Sequence, residues 1–305
     1  MKLHTLTTII VGFLLACHAG EGSDFSFRTD SREGFCFPSE VFSRVKTQND
    51  KQIFKKVIEK INSDTTDFTD LSDVLTKTGI FFLETPYVAY TLEIPGDEQL
   101  VVNLREMDCT TFVEYVVALT LLIKENRTDF ERFTQLLACI RYRDGIIDGY
   151  PSRLHYFTEW LQNNADKGIL EIVSNQVSDV PYDTRVSFMS SNPGLYRQLE
   201  NPEYVSSIKE TEKVISGFEM NFIPKDRIPE IEDQIKDGDI IAFTTNITGL
   251  DVSHTGFAIH QNGRLHLLHA STRTNQVEIS PVPLSDYLAP MRRVTGILVG
   301  RISLP

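Results

Sequence analysis

The sequence predicts an α+β fold in a single domain, with helices in the first half and a mainly antiparallel sheet in the second. Three observations carry this. Apolar residues recur at helical spacing as far as about residue 164, and past Gly168 a period of two takes over. Asn262-Gly263 lies between two of the strand-like runs, where a type I′ turn, with positive φ at both central residues, closes a hairpin. Helices first and strands later describe an α+β layout, and no Pro-, Gly- or Ser-rich linker divides it. At 305 residues and 41% hydrophobic content the chain can bury a core of ordinary density.

Taken in order, the chain opens with Lys2 and an apolar run over residues 9–16 that is too short to span a bilayer. A positive start, a short apolar stretch and small residues after it read as an export signal over residues 1–16. Leu14-Leu15-Ala16-Cys17 also resembles a bacterial lipoprotein box, which would make Cys17 the lipid-carrying first residue of the mature chain. Cleavage after Ala19 is the alternative, given the small residues Ala16, Ala19 and Gly20. The expected location is outside the cytoplasm, periplasmic or anchored to the outer membrane as a lipoprotein, with membrane contact only through that lipid. Residues 17–39 form a tether and 40–305 the domain.

Within the domain, Ile53, Phe54, Val57, Ile58 and Ile61 mark a first helix, and Leu71, Val74 and Leu75 a second that ends at Gly79. Residues 109–124 are almost wholly apolar and follow Asp108, a good N-cap, so a buried helix is expected. Residues 128–143 and 152–164 read as further helices. The strands are expected at residues 239–244, 253–260, 265–270 and 296–302.

A formal charge of −12 and a pI near 5.1 exclude a general binder of nucleic acid, whose phosphates are gripped by clustered Lys and Arg. The histidines lack Cys or Glu at ligand spacing, so neither a metal nor another cofactor is expected.

After export Cys36, Cys109 and Cys139 remain, an odd number in an oxidising compartment, so at least one thiol is free. Cys139 sits beside Leu136, Leu137 and Ile140, and Cys36 between Phe35 and Phe37; both read as packing residues, and a disulfide between them stays open as an alternative that spacing does not support. Cys109 falls at the first turn of its helix, where unpaired N–H groups and the dipole favour an anion. A thiolate is therefore expected there, since such sites with a His partner bring a Cys from a pKa of about 8.5 to roughly 3.5–7.5. A cysteine nucleophile needs a base near in space and a third group to orient it. His254 and His269 lie on adjacent strands of the predicted hairpin and fit those roles, whereas His260 and His266, nearer the turn, are expected at the surface.

The blocks Asp108-Cys109-Thr110-Thr111-Phe112-Val113-Glu114-Tyr115, Asp237-Gly238-Asp239-Ile240-Ile241-Ala242-Phe243, Ser253-His254-Thr255-Gly256-Phe257-Ala258-Ile259 and His269-Ala270 resemble, in order and spacing, the NlpC-type papain-like cell-wall amidases. The resemblance implies Cys109 as nucleophile, His254 as base and His269 as the orienting member. It also places Tyr87, in Thr85-Pro86-Tyr87, near the nucleophile.

Two departures point to a branch: Thr110-Thr111 replace the commoner Ser-Gly, and a long segment, residues 125–236, separates the nucleophile helix from the Gly-Asp strand. With Asp148-Gly149-Tyr150-Pro151-Ser152-Arg153-Leu154-His155-Tyr156, the chain resembles the N-acetylmuramoyl-L-alanine amidase-like branch over roughly residues 40–303. That implies hydrolysis of the amide between muramic acid and L-alanine, in peptidoglycan or muropeptides, and a specificity insert at 125–236. Tyr87, Asp108, Tyr150, Arg153, His155, Tyr156 and Ser253 are the expected substrate contacts, with Arg153 holding a stem-peptide carboxylate through a bidentate pair; the alternative is a solvated helix connection whose arginines pair with Asp144, Asp148 and Glu159, with the specificity segment between Ser187 and Tyr196. The alternatives are an endopeptidase of the same fold that cuts within the stem peptide, and a non-catalytic glycan-binding lipoprotein.

Overall fold

The computed structural model describes residues 43–45, 47–65, 70–183 and 185–303, so the expected export signal and tether, with Cys17 and Cys36, lie outside the described residues. The first half is built from β1 (Ser43–Val45), α1 (Gln48–Asp64), α2 (Leu71–Phe81), β2 (Leu100–Val102), α3 (Cys109–Lys124), α4 (Phe130–Arg141) and α5 (Phe157–Asp166). A mixed stretch follows, with β3 (Leu170–Ile172), α6 (Ser174–Val177), α7 (Phe188–Ser191), α8 (Pro202–Ile215), β4 (Ile223–Pro224) and α9 (Ile228–Ile231). The sheet half comprises β5 (Ile240–Thr245), β6 (Val252–Gln261), β7 (Arg264–Ser271), β8 (Gln276–Ile279) and β9 (Val294–Ile302), with α10 (Leu284–Leu288) between the last two.

The main sheet has seven strands in the order β3-β9-β5-β6-β7-β8, with β4 also on β9, and every pair in it is antiparallel. The mixed α+β class with an antiparallel sheet therefore stands. Asn262 and Gly263 have φ of 53° and 76°, as a type I′ hairpin requires. The period of two does not divide inside from outside here, because both faces are covered. Ile240, Ala242, Phe257, Ile259 and Leu268 pack under the helices, while Ile241, Phe243, Ala258, Leu265 and Leu267 pack with Ile228 and Leu284 on the other side. Double burial explains why β5 is apolar at successive positions.

Helix α3 is the hub. Its side chains from Thr111 to Ile123 are buried, and Phe112 meets Phe257 of β6 edge to face at 5.6 Å. Helix α2 runs past the expected stop at Gly79 to Phe81. Gly79 is instead a close approach: a Cβ there would lie 2.7 Å from Leu268 Cδ2. Buried Arg141 donates to Glu114 and to the Val101 carbonyl, both at 2.7 Å, tying α4 to α3 and β2.

Two expectations need correction. Cys139 is fully buried, as expected, but is disulfide-bonded rather than simply packed, its partner lying outside the described residues. His266 is buried rather than at the surface, its Nδ1–H donating to the Ser280 carbonyl at 2.8 Å. His260 is half-buried on Asp237, 2.6 Å from its carboxylate.

Candidate active site

Cys109 is the first residue of α3, directly after an N-cap whose backbone is extended. Asp108 accepts from the Thr111 N–H and the Thr111 hydroxyl, each at 2.8 Å, and donates its own N–H to that hydroxyl at 2.9 Å. Thr111 thus does what Glu or Gln usually does in a capping box, which gives the departure at Thr110-Thr111 a structural role. Asp108, expected as a substrate contact, is occupied by this cap and does not line the cavity described below.

His254 and His269 meet as the hairpin suggests. Nε2 of His254 lies 2.6 Å from Nδ1 of His269, with the rings perpendicular. Gly256 makes this fit: a Cβ there would come within 2.8 Å of His269 Cβ and 2.7 Å of the Leu268 carbonyl. His269 is buried, and its other nitrogen has Glu278 Oε1 at 3.8 Å. The protonation consistent with both contacts has His254 Nε2–H donating to His269 and His269 Nε2–H facing Glu278. That leaves Nδ1 of His254 as the basic nitrogen.

Cys109 is the free cysteine among the described residues. Burial, and then the Asp108 carboxylate, push its thiol up to about 11, against contacts from Thr255 and Thr110 that act the other way. Burial takes His254 down to about 4, and burial with the neighbouring His254 takes His269 to about 3. Both shifts favour the neutral forms, a thiol at Cys109 and an imidazole at His254. These shifts run against the expected thiolate: desolvation of the half-buried sulfur and the Asp108 carboxylate oppose the helix end.

Cys109 and His254 open into one cavity of about 450 Å³, together with Tyr150, His155, Tyr156 and Ser253 from the expected set. His155 donates from Nε2 to the Tyr150 carbonyl at 2.9 Å, and burial followed by the nearby Arg153 holds it down at about 3, so its Nδ1 is an acceptor. The Tyr156 hydroxyl is spoken for, donating to Glu212 at 2.7 Å and accepting from the Met189 N–H at 2.8 Å; only its ring serves the wall. Tyr87 stands beside Cys109 rather than in the lining. Burial, then the charges of Cys109 and Asp108, push its phenol up to about 12.

Arg153 does not face the cavity. It is buried between Glu98, which it holds through two bonds of 2.9 Å, and Glu93 at 2.8 Å. The reason is electrostatic: a buried guanidinium must be paired, and two carboxylates of the preceding loop are within reach. Tyr196, at the end of the alternative specificity segment, lines the cavity, as do Tyr90, Glu93 and Arg197, which sequence reasoning missed. They lie on turns and a 3₁₀ segment without period, where the one local signal was an aromatic beside a charge.

The profile of the AmiA-like family, described as N-acetylmuramoyl-L-alanine amidase-like, matches residues 77–297. Among solved structures, an N-acetylmuramoyl-L-alanine amidase from Bacteroides uniformis is 46% identical, with a TM-score of 0.73 over 76% of this chain and 99% of its own. A Bacteroides fragilis protein called a "putative xylanase" is also 46% identical, with a TM-score of 0.71 over 73% of this chain and 98% of its own. Protein LPG0564 of Legionella pneumophila, 21% identical, supports the fold alone, with a TM-score of 0.62 over 85% of this chain and 95% of its own. No curated protein matches the chain.

Proposed function

The chain belongs to the N-acetylmuramoyl-L-alanine amidase-like family, and from that membership we propose that it is a cysteine amidase that hydrolyses the amide between the lactyl group of muramic acid and L-alanine. The observation that carries the reading is a free cysteine at a helix start sharing one cavity with a histidine whose far nitrogen is held at 2.6 Å by a second histidine. A base oriented by a third group beside a nucleophile is the arrangement that acyl transfer needs.

In the proposed reaction Nδ1 of His254 takes the thiol proton as Cys109 Sγ bonds to the lactyl carbonyl carbon. The N–H of Cys109, one of the donors a helix leaves unpaired at its start, faces the developing oxyanion. One such donor is worth roughly 3 kcal/mol of barrier. His254 then returns the proton to the alanine nitrogen, the C–N bond breaks, and the peptide leaves as an amine. Water, deprotonated by His254, attacks the thioester and releases the muramic acid carboxylate and the thiol. No external oxidant or cofactor enters the balance.

Digestion of a defined muropeptide, read by mass spectrometry, tests this. Cleavage that separates a sugar with a free lactyl carboxylate from a peptide with free N-terminal alanine is expected. The Cys109→Ala protein should be folded and inert. A cut within the stem peptide would replace the reading with the endopeptidase.

A further inference from the structure

An enzyme for this bond must hold two unlike groups, a sugar on the acyl side and a peptide on the amine side. We propose that Tyr90, Glu93 and Tyr196 form the subsite for the N-acetylated sugar, with the tyrosine rings stacking on its face and Glu93 Oε2 accepting from a hydroxyl or the acetamido N–H. This rests on the amidase reading and specifies where in the cavity its glycan half binds.

Tyr90 is 75% exposed although it lines the cavity, and its φ of 61° is a left-handed conformation that a bulky residue rarely adopts. The turn that imposes it, closed by the Glu93 N–H on the Tyr90 carbonyl at 3.1 Å, carries both side chains on the same wall. An aromatic ring left in water on a strained turn gains nothing for the fold; a ligand face that covers it would.

Glu93 supplies the polar half. Its Oε1 accepts from Arg153 at 2.8 Å, while its Oε2 is buried with no hydrogen-bond partner among the described residues. A buried carboxylate oxygen without a donor is costly, and in a cavity wall the missing donor comes from the ligand. Tyr196 completes the group: burial, then Tyr90, Glu212 and Glu93, raise its phenol to about 12, which places these side chains in one neighbourhood.

The reaction's direction assigns this wall to the sugar. His254, carried by β6, hands its proton to the leaving amine, so the amine side of the bond faces His254. The acyl half lies along the segment that runs from Tyr87, beside Cys109, to Tyr90 and Glu93.

The test is calorimetric titration of the Cys109→Ala protein with two separate ligands: the peptide-free disaccharide of N-acetylglucosamine and N-acetylmuramic acid, and the free stem peptide. The disaccharide should bind. Adding Tyr90→Asn or Tyr196→Ala should weaken it about tenfold, the scale of one stacking contact, with peptide affinity unchanged. Glu93→Gln, which keeps a carbonyl for Arg153 but turns the orphan acceptor into a donor, should weaken it comparably. Because Asn tolerates the left-handed region, Tyr90→Asn should melt no lower than its parent. Equal disaccharide affinity in all three variants, loss of peptide binding instead, or no disaccharide binding at all would each overturn the proposal. Failure of the amidase reading shows separately, as an uncut muramoyl-alanine bond in the digestion.

Discussion

At Cys109 two local influences oppose each other. The start of α3 and its unpaired N–H groups favour a negative sulfur, while burial and the Asp108 carboxylate oppose it, and the outcome is a thiol raised to about 11. Alkylation of Cys109 by iodoacetamide at pH 7 is therefore expected to be slower than that of a free cysteine and to climb as pH rises toward that value. His254, lowered to about 4 by burial, stays unprotonated until the medium is more acidic than its neighbours in an unfolded chain would need. The sign follows: kcat/KM should hold level between about pH 6 and 9 and drop as pH falls through about 4, when the base is lost. Rapid alkylation at neutral pH would mean that the thiolate–imidazolium pair is the resting form, and an acidic limb near 6.5 would mean that His254 titrates as an ordinary imidazole. His269→Gln should lower kcat by about 10- to 100-fold, as loss of an orienting partner does, while His254→Ala approaches the Cys109→Ala level.

Among the elements, those with a strong period were readable and those held by partners far along the chain were not. The buried helix α3, the Asn262-Gly263 hairpin and the neighbouring placement of His254 and His269 follow from local pattern, because turn type sets register and register sets which side chains meet. Helix α8 and strand β2 were missed: α8 buries little of its surface, and β2 is three residues long and buried throughout. For Arg153 the local charge pattern is the same whether it faces substrate or internal carboxylates, and only the fold brings Glu93 and Glu98 to it. Its replacement follows a different course from that of a binding residue. Arg153→Ala leaves two carboxylates facing each other and should destabilise the fold by about 3–5 kcal/mol, seen as a lowered Tm. Unchanged Tm with a raised KM would return Arg153 to substrate contact. Gly256→Ala acts through the sheet: the added Cβ meets His269 Cβ and the Leu268 carbonyl. We expect a loss of about 1–3 kcal/mol in stability and a fall in kcat that the loss of stability alone does not produce, because the orienting histidine moves. Wild-type kcat in Gly256→Ala would show that the glycine serves packing alone.

For the whole molecule the outstanding problem is charge. The sequence carries a net −12, while the stem peptide of the proposed substrate carries carboxylates, so the long-range field opposes association. With Arg153, Arg143 and Arg141 all held by internal carboxylates, the arginine that lines the cavity is Arg197, which is exposed. Its attraction acts over a few ångströms, whereas the repulsion of the whole surface reaches across a screening length of about 30 Å at 0.01 M salt and about 10 Å at 0.1 M. Salt should therefore remove more repulsion than attraction. Raising ionic strength from about 0.01 to 0.15 M is expected to increase kcat/KM for an anionic muropeptide several-fold, through association, and to leave a substrate with amidated carboxyls unchanged. Arg197→Gln should lower kcat/KM for the anionic substrate at every salt concentration while steepening its rise with salt, since only the repulsive part would remain. A kcat/KM that falls with salt would show instead that the cavity's local field, and not the surface of the protein, governs capture of the substrate.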